Sequence, residues 1–146
     1  MNAAKGALFP WGSVDSWTAL PNDIHAYLYV DGFTPMTISV YWELLKHYNV
    51  EAGYAYPTQE TLALALNTSK RTVIRNINTL ANAGLISKKR NKSLVYFFNQ
   101  PLKGADFAAK FPQAAAKRDK KRMTLEIRRM DDEERLRTIE NKEVTE

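Results

Sequence analysis

Two short helical patterns, separated by a turn of a few residues, decide the fold of this chain. They lie in residues 58–84, which read TQETLALALNTSKRTVIRNINTLANAG. Thr58 precedes the first pattern and can cap its N-terminus, while Glu60 lies in the first turn, where a helix favours a negative charge. Ser69 can cap the second pattern, and Gly84 follows its end, as glycine commonly does. The stretch therefore predicts two consecutive helices.

The apolar residues of the two predicted helices recur at three- and four-residue steps, so those of the first helix lie on one face and those of the second form a buried stripe. These residues are Leu62, Ala65, Leu66, Val73, Ile77 and Leu80. The second helix carries basic and hydrogen-bonding residues that point elsewhere, namely Lys70, Arg71, Thr72, Arg75, Asn76 and Asn78. Two helices of roughly eight residues, joined by a turn of about three, form a helix-turn-helix.

Two β-prone runs follow Gly84. Residues 85–90 and 93–98 are separated by Asn91 and Lys92, which predicts a β-hairpin. A helix-turn-helix followed by such a hairpin, the wing, is a winged helix. The predicted fold class is therefore mainly α with a small β-hairpin wing, a winged helix-turn-helix with a C-terminal extended helix.

The positive charge of the chain is concentrated on these elements. The 146 residues carry a formal net charge of +5. Residues 68–100 hold seven basic residues and no acidic one, whereas residues 1–67 hold two basic and six acidic ones. All seven basic residues fall on the second predicted helix and the wing. This asymmetry favours a polyanionic partner.

Composition argues against several other functions. The chain has no cysteine, which excludes disulfides, thiolate metal sites and a cysteine nucleophile, and His25 and His47 match no metal-ligand spacing. We expect no cofactor, no metal and no catalysis; an enzyme would need an acidic cluster, for example Asp15, Asp23 and Asp31 converging on a cation. No signal peptide or membrane span is recognisable. A cytoplasmic protein without membrane contact is expected.

The segment before the helix-turn-helix is less regular. Residues 24–30 alternate weakly, which predicts a short strand or extended segment. Thr34 and Pro35 then start a helix to about Asn49, whose apolar residues are Ile38, Tyr41, Trp42, Leu45 and Tyr48. We expect Trp42 in the core. For Trp11 and Trp17, a core position is favoured over contact with a partner.

A short helix at 105–111 and a longer one from Pro112 to about Asn141 are predicted after the wing. Apolar residues of the longer helix form two incomplete stripes: Met123, Ile127 and Met130, and Leu125, Leu136 and Ile139. Three roles stay open for it: contact with a partner or a second copy, a solvated tail, or additional DNA contact through Lys117, Arg118, Lys120, Lys121, Arg122, Arg128 and Arg129. The predicted organisation is an N-terminal extension packing on the core (1–33), a winged helix-turn-helix DNA-binding domain (34–100) and a charged helical C-terminal extension (101–146).

The motifs resemble the winged helix-turn-helix domains of bacterial, phage and plasmid replication initiators, of DnaD-type primosomal proteins and of related small transcriptional regulators. The resemblance rests on residues 56–63, 68–73 and 80–86, which fit the skeleton P-S/T-x-x-x-L-A, S-x-x-T-V and L-x-x-x-G-L-I. With the preceding helix and the wing, it covers about residues 34–100. The skeleton does not distinguish among these families.

What the resemblance implies is DNA binding at named positions. The base-reading and phosphate-contacting end of the recognition helix would be Ser69, Lys70, Arg71, Thr72 and Arg75. The start of the preceding helix would touch phosphates through Thr58 and Gln59, and the wing would contribute Lys88, Lys89, Arg90 and Lys92.

The predicted function is sequence-specific binding of double-stranded DNA, without catalysis, by a protein of a plasmid, phage or mobile element. It would act as a transcriptional regulator or as an accessory replication or origin-binding factor. A homodimer is expected, through the C-terminal helix or the N-terminal segment, because small helix-turn-helix proteins commonly bind two-fold symmetric sites. The alternative is a protein-interaction winged helix that docks a replication or segregation partner.

Overall fold

The computed structural model describes residues 6–90 and 92–145, which contain five α-helices, four β-strands and one 3₁₀ helix. The helices are α1 (Pro35–Lys46), α2 (Gln59–Ala65), α3 (Lys70–Asn82), α4 (Gly104–Lys110) and α5 (Pro112–Thr145). The strands are β1 (Tyr48–Asn49), β2 (Tyr54–Ala55), β3 (Ile86–Arg90) and β4 (Leu94–Phe98), and the 3₁₀ helix is Asn22–Tyr29.

The described residues divide into two units. The first unit comprises the residues up to Asn22 together with Met36–Asn99, and the second comprises Asp23–Pro35 and the residues from Gln100 onward. Asn91 of the predicted hairpin turn and the first five residues of the predicted N-terminal extension lie outside the described residues. The three-segment organisation inferred from the sequence stays a prediction.

Side-chain caps begin both helices of the helix-turn-helix, as the sequence predicts. The Thr58 hydroxyl accepts a hydrogen bond from the Thr61 N–H at 3.1 Å, and the Ser69 hydroxyl accepts one from the Thr72 N–H at 3.1 Å. Between the helices, Asn67 adopts a φ of +50°, a left-handed conformation that asparagine tolerates better than most residues. These local signals fix where α2 and α3 begin.

The first unit contains a four-stranded antiparallel sheet in the order β1-β2-β4-β3, in which β1 and β2 precede α2 in the chain and β3 and β4 follow α3. The β3–β4 register runs from Ile86 opposite Phe98 to Arg90 opposite Leu94. This hairpin is the predicted wing. The predicted fold class is therefore confirmed.

The core of the first unit contains the predicted stripe of α3. Val73, Ile77 and Leu80 are buried, as are Leu85 and Ile86 after the helix. Burying an aliphatic side chain of this size contributes about 1.5–3 kcal/mol, so these residues hold α3 on the rest of the unit.

Asn76 corrects the predicted division of α3 into a buried and an outward side. It is buried, accepts a hydrogen bond from the Thr37 hydroxyl at 2.7 Å and donates one to the Thr72 carbonyl at 2.9 Å. Both polar ends of its amide are therefore satisfied inside the unit, which is the condition for burying such a group. The prediction that Asn76 points away from the core is wrong.

The buried side of α1 also differs from the predicted one. Its buried face is Thr37, Val40, Tyr41 and Leu44, and the helix ends at Lys46 rather than near Asn49. Trp42 lies about 140° around the helix from Thr37; it is 49% exposed and donates its indole N–H to the Thr18 carbonyl at 2.9 Å. The prediction that Trp42 is a core residue is wrong.

Residues 24–30 are also corrected, since most of them belong to the 3₁₀ helix. Ile24 and Tyr27 are its buried residues, and their three-residue spacing matches the three-residue turn of a 3₁₀ helix. The weak alternation of apolar residues in this segment therefore does not mark a strand.

Trp11 and Trp17 are 60% and 58% exposed, so the core position favoured for them is wrong. Both contact Phe9, with ring centroids 5.2 Å and 6.1 Å apart. We call Phe9, Trp11 and Trp17 the N-terminal aromatic cluster. Its rings cover one another only in part.

An aromatic core begins the second unit. Tyr27 contacts Phe107 and Phe111, with ring centroids 5.2 Å and 5.5 Å apart, and its hydroxyl accepts a hydrogen bond from the Leu102 N–H at 3.0 Å. The Arg118 guanidinium lies over the Phe107 ring, 5.5 Å from its centroid.

The two helices predicted after the wing are confirmed as α4 and α5, the latter running on to Thr145. Within the described ranges, no helix combines the length and apolarity needed to cross a lipid bilayer.

Candidate nucleic-acid interface

The outward face of α3 carries basic and amide side chains. Arg71, Arg75, Asn78 and Asn82 are exposed and follow one another at four-, three- and four-residue steps, so they share one side of the helix. This side lies opposite the buried Ile77 and Leu80 flank. The two arginines are among the predicted site residues, whereas Asn78 and Asn82 are not, although the periodicity that finds the core stripe also finds this face.

Ser69 and Thr72 belong to the N-terminal cap of α3. The Ser69 hydroxyl donates to the Thr72 hydroxyl at 3.0 Å in addition to accepting from the Thr72 N–H. Thr72 is half-buried and its carbonyl accepts from Asn76. These contacts give both residues a structural role in the first turn, from which Arg71 and Arg75 project.

Lys70 forms an ion pair with Glu60 of α2, with Nζ and Oε1 2.7 Å apart. The hydrogen bond from Lys70, followed by its positive charge, lowers the pKa of the Glu60 carboxyl from its ordinary value. Residues 68–100 themselves contain no acidic residue. Glu60 lies just outside that range, and the packing of α2 on α3 brings it into the interface.

Glu60→Gln is expected to strengthen binding to any DNA sequence roughly threefold to tenfold and to steepen the salt dependence by about 0.9, one additional phosphate contact. The reason is that Lys70 loses its internal partner. Fluorescence anisotropy of the full chain on a random duplex at several salt concentrations measures both quantities. Glu51→Gln, which removes an exposed acid elsewhere in the same unit, is the matched control. An equal gain from both variants would show that only net charge had changed.

The start of α2 meets the wing at Tyr96 of β4. Burial raises the pKa of the Tyr96 hydroxyl, and the nearby Gln59 side chain and the positive charge of Arg90 offset part of the shift. Thr58 shares its hydroxyl with Thr61, the two Oγ1 atoms being 2.7 Å apart. Gln59 in the first turn of α2 and Arg90 of strand β3 therefore both lie near the Tyr96 hydroxyl.

The basic residues of the wing divide between its two faces. Lys88 donates to the Asn78 side chain at 2.5 Å, which ties β3 to α3. Because side chains alternate along a strand, Arg90 shares the face of Lys88, whereas Lys89 lies on the opposite face. Lys88, Lys89, Arg90 and Lys92 are all exposed. The structure thus brings Lys88 and Arg90 toward the helices but not Lys89.

No group of three or more histidine, aspartate or glutamate side chains in the described part of the chain could hold a metal ion. The carboxylate cluster considered for an enzyme is not formed among these residues. The roles assigned to the individual site residues remain predictions.

Two capped helices joined by a tight turn, with a two-stranded wing after the second, define a winged helix-turn-helix domain. Residues 32–86 match the model of the helix-turn-helix domain family. A solved structure named "N-Terminal domain of DNA binding protein" is similar, with 17% sequence identity and a TM-score of 0.49, over 68% of this chain and 86% of that one. No curated protein matches the chain.

Proposed function

We propose that this protein binds double-stranded DNA sequence-specifically through its winged helix-turn-helix domain and has no catalytic activity. The observation that supports the proposal best is the outward face of α3. Arg71 and Arg75 project from it into solvent beside the basic strand β3, and in the described residues of this region Glu60 alone supplies an opposing charge.

The chemistry of this face suits the major groove. An α-helix fits that groove, where arginine can donate two hydrogen bonds to a guanine edge and asparagine can pair with an adenine edge. Arg71, Arg75, Asn78 and Asn82 are residues of these two types on one side of α3. Phosphate contacts from Thr58, Gln59 and the wing would fix the orientation of the helix without reading sequence.

The biological role proposed is that of a regulator of transcription, or of an accessory factor at a replication origin, of a plasmid, phage or mobile element in the cytoplasm. We propose that it acts as a homodimer. Footprinting separates the two roles. Protection of an inverted repeat beside a promoter would support the regulator, and protection of a direct-repeat array at an origin would support the replication factor.

The N-terminal aromatic cluster favours one rival function, docking of a replication or segregation protein. Exposed aromatic side chains are common at protein interfaces. The two functions differ in salt dependence. About six phosphate contacts would lower log K with log salt at a slope near −5, because counterions are released on binding. A nearly flat salt dependence, together with equal affinity for all DNA sequences, would reject the proposed function.

Arg90→Ala is expected to reduce the steepness of the salt dependence by about 0.9 and to weaken specific and random duplexes alike, because Arg90 is proposed to contact a phosphate. Lys89→Ala removes the same charge from the neighbouring position on the opposite strand face. Anisotropy titrations of both variants on both duplexes test this. If the lysine variant lost as much affinity as the arginine variant, the two faces of the wing would not differ in DNA contact.

A further inference from the structure

The outer part of α5 buries no side chain inside its own unit, where its Lys121 ammonium lies over the Tyr29 ring, 6.0 Å from the centroid. Ala114 and Ala115 are buried and Arg118 stacks on Phe107, but every residue from Asp119 to Val144 is exposed. Val144, near the end of the helix, is apolar and exposed. Six earlier exposed residues of this segment are large and apolar: Met123, Leu125, Ile127, Met130, Leu136 and Ile139. Most of the stability of a helix in a protein comes from packing of its apolar face. This helix leaves such residues uncovered.

The charges of this segment are separated along the helix about Met130. Residues 117–129 contain seven basic and two acidic residues, whereas residues 131–143 contain six acidic and three basic ones. The two blocks have equal length. A second copy of the helix running in the opposite direction would place each block against the block of opposite charge.

One side of α5 carries apolar and oppositely charged positions that are placed symmetrically about a midpoint. Positions at alternating three- and four-residue steps share one side of a helix and form the seam of a coiled coil. We define the α5 seam as Arg122, Leu125, Arg129, Asp132, Leu136 and Ile139. Its midpoint lies between Met130 and Asp131, so each position has a counterpart at the same distance on the other side.

We propose that two copies of the chain pair antiparallel through the α5 seam. Leu125 then packs against the partner's Leu136, and Arg129 faces the partner's Asp132. The aliphatic stem of Arg122 covers the partner's Ile139, as long basic side chains often do. Two-fold symmetry repeats each contact, which gives six layers. The pairing specifies the surface of the proposed homodimer and is independent of DNA binding.

A parallel pair would place like charges together. Arg129 would face the partner's Arg129, and Asp132 the partner's Asp132, in the middle of the seam. Polar residues at such positions commonly set the direction and register of a coiled coil. In the single chain Arg129 donates to Glu126 of its own helix, while its side chain stays 66% exposed and within reach of a facing helix.

The other apolar stripe of α5, formed by Met123, Ile127 and Met130, provides a matched control. Ile127 and Leu136 are nine residues apart in the sequence, which places them about 180° apart around the helix. They are similarly exposed, at 57% and 60%. After Met130, the positions on the same side of the helix as Ile127 are Glu134 and Arg137. The apolar stripe therefore stops at the middle of the helix, and the charged positions beyond it offer no apolar residue to an antiparallel partner.

Sedimentation equilibrium of the full chain without DNA tests the proposal. We expect a reversible dimer at about 10–100 µM, a roughly 100-fold weaker dimer for Leu136→Ala and a change of less than about threefold for Ile127→Ala. Circular dichroism checks that both variants keep their helix content. A wild-type chain that stays monomeric at about 500 µM, or equal weakening by both variants, would overturn the proposal.

Exchanging the central charges tests the direction of pairing without changing the apolar residues. Arg129→Glu and Asp132→Arg alone should each weaken the dimer roughly tenfold, and the two together should restore it to within about threefold, because the ion pairs re-form with reversed sign. Failure of the double variant to recover would reject the proposed register.

A distance measurement decides between the two directions. The chain has no cysteine, so Glu140→Cys gives a single attachment site for a spin label. The antiparallel seam places the two labels of a dimer about 30 Å apart, calculated from the helical rise of about 1.5 Å per residue. A parallel pair would place them roughly 10–15 Å apart. The shorter distance would refute the antiparallel pairing and leave the DNA-binding proposal untouched.

Discussion

Replacing Arg71 and Arg75 together by alanine is expected to weaken binding to the specific DNA site by about 2–6 kcal/mol, roughly 30-fold to 10⁴-fold. Each arginine that makes two hydrogen bonds to a guanine is worth about 1–3 kcal/mol of discrimination. Both side chains are exposed and share one side of α3, so the double variant should keep its fold. The affinity for a random duplex should fall much less, because only phosphate contacts hold the protein there. Competition titrations on the two duplexes give the specificity ratio.

Lys46→Ala combined with Lys103→Ala is the charge-matched control, since both lysines are exposed and lie outside α3 and the wing. This control should lower both affinities slightly and leave the specificity ratio unchanged. Equal losses of the arginine variant on the specific and the random duplex would instead assign Arg71 and Arg75 to phosphate contacts. The reading of sequence would then belong to other residues of α3, Asn78 and Asn82 first.

The winged helix-turn-helix is predictable from the sequence because its signals are local. A cap such as Thr58 or Ser69 acts on N–H groups within three residues, and Gly84 ends α3 through its own backbone conformation, with a φ of +81°. The stripe of Val73, Ile77 and Leu80 depends on helical period alone. None of these signals requires knowledge of what the helix packs against.

The rotation of α1 is not predictable in the same way. Its sequence offers two overlapping faces, one centred on Trp42 and one on Val40, and the three- and four-residue spacing of the large apolar residues around Trp42 favours the first. The contact between Thr37 and Asn76, which are 39 positions apart in the sequence, buries the other face. A pairing between distant polar residues leaves no periodic trace, so the pattern alone favours the wrong side.

The candidate site shows the same limit. Which residues of α3 point outward follows from the helical period, and Asn78 and Asn82 are found by it together with the arginines. The neutralisation of Lys70 by Glu60 does not follow, because it depends on how closely the first turns of α2 and α3 approach. Counting charges over a continuous stretch misses an acid that the fold brings in from outside that stretch.

Asn76→Asp is expected to destabilise the first unit by about 3 kcal/mol at pH 7, although the two side chains have nearly the same shape. The substitution places a carboxylate at a buried position and turns an oxygen toward the Thr72 carbonyl, where the amide of Asn76 now donates a hydrogen bond. A buried carboxylate that loses a donor contact costs several kcal/mol. Urea unfolding followed by tryptophan fluorescence measures the loss, since Trp11, Trp17 and Trp42 all belong to the first unit.

The loss should depend on pH with a definite sign. Burial raises the pKa of the new carboxyl in the folded state above its value of about 3.9 in the unfolded chain. The folded state then holds its proton more tightly, so the destabilisation relative to the wild type grows as the pH rises above about 4 and levels off above the folded-state pKa. Near pH 4 the protonated carboxyl can donate to the Thr72 carbonyl in place of the amide, and most of the stability returns.

Asn78→Asp, at an exposed position of the same helix, should change stability by no more than about 0.5 kcal/mol at either pH. Equal, pH-independent effects of the two variants would contradict the prediction, since they would mean that neither the burial of Asn76 nor its hydrogen bond to the Thr72 carbonyl stabilises the first unit.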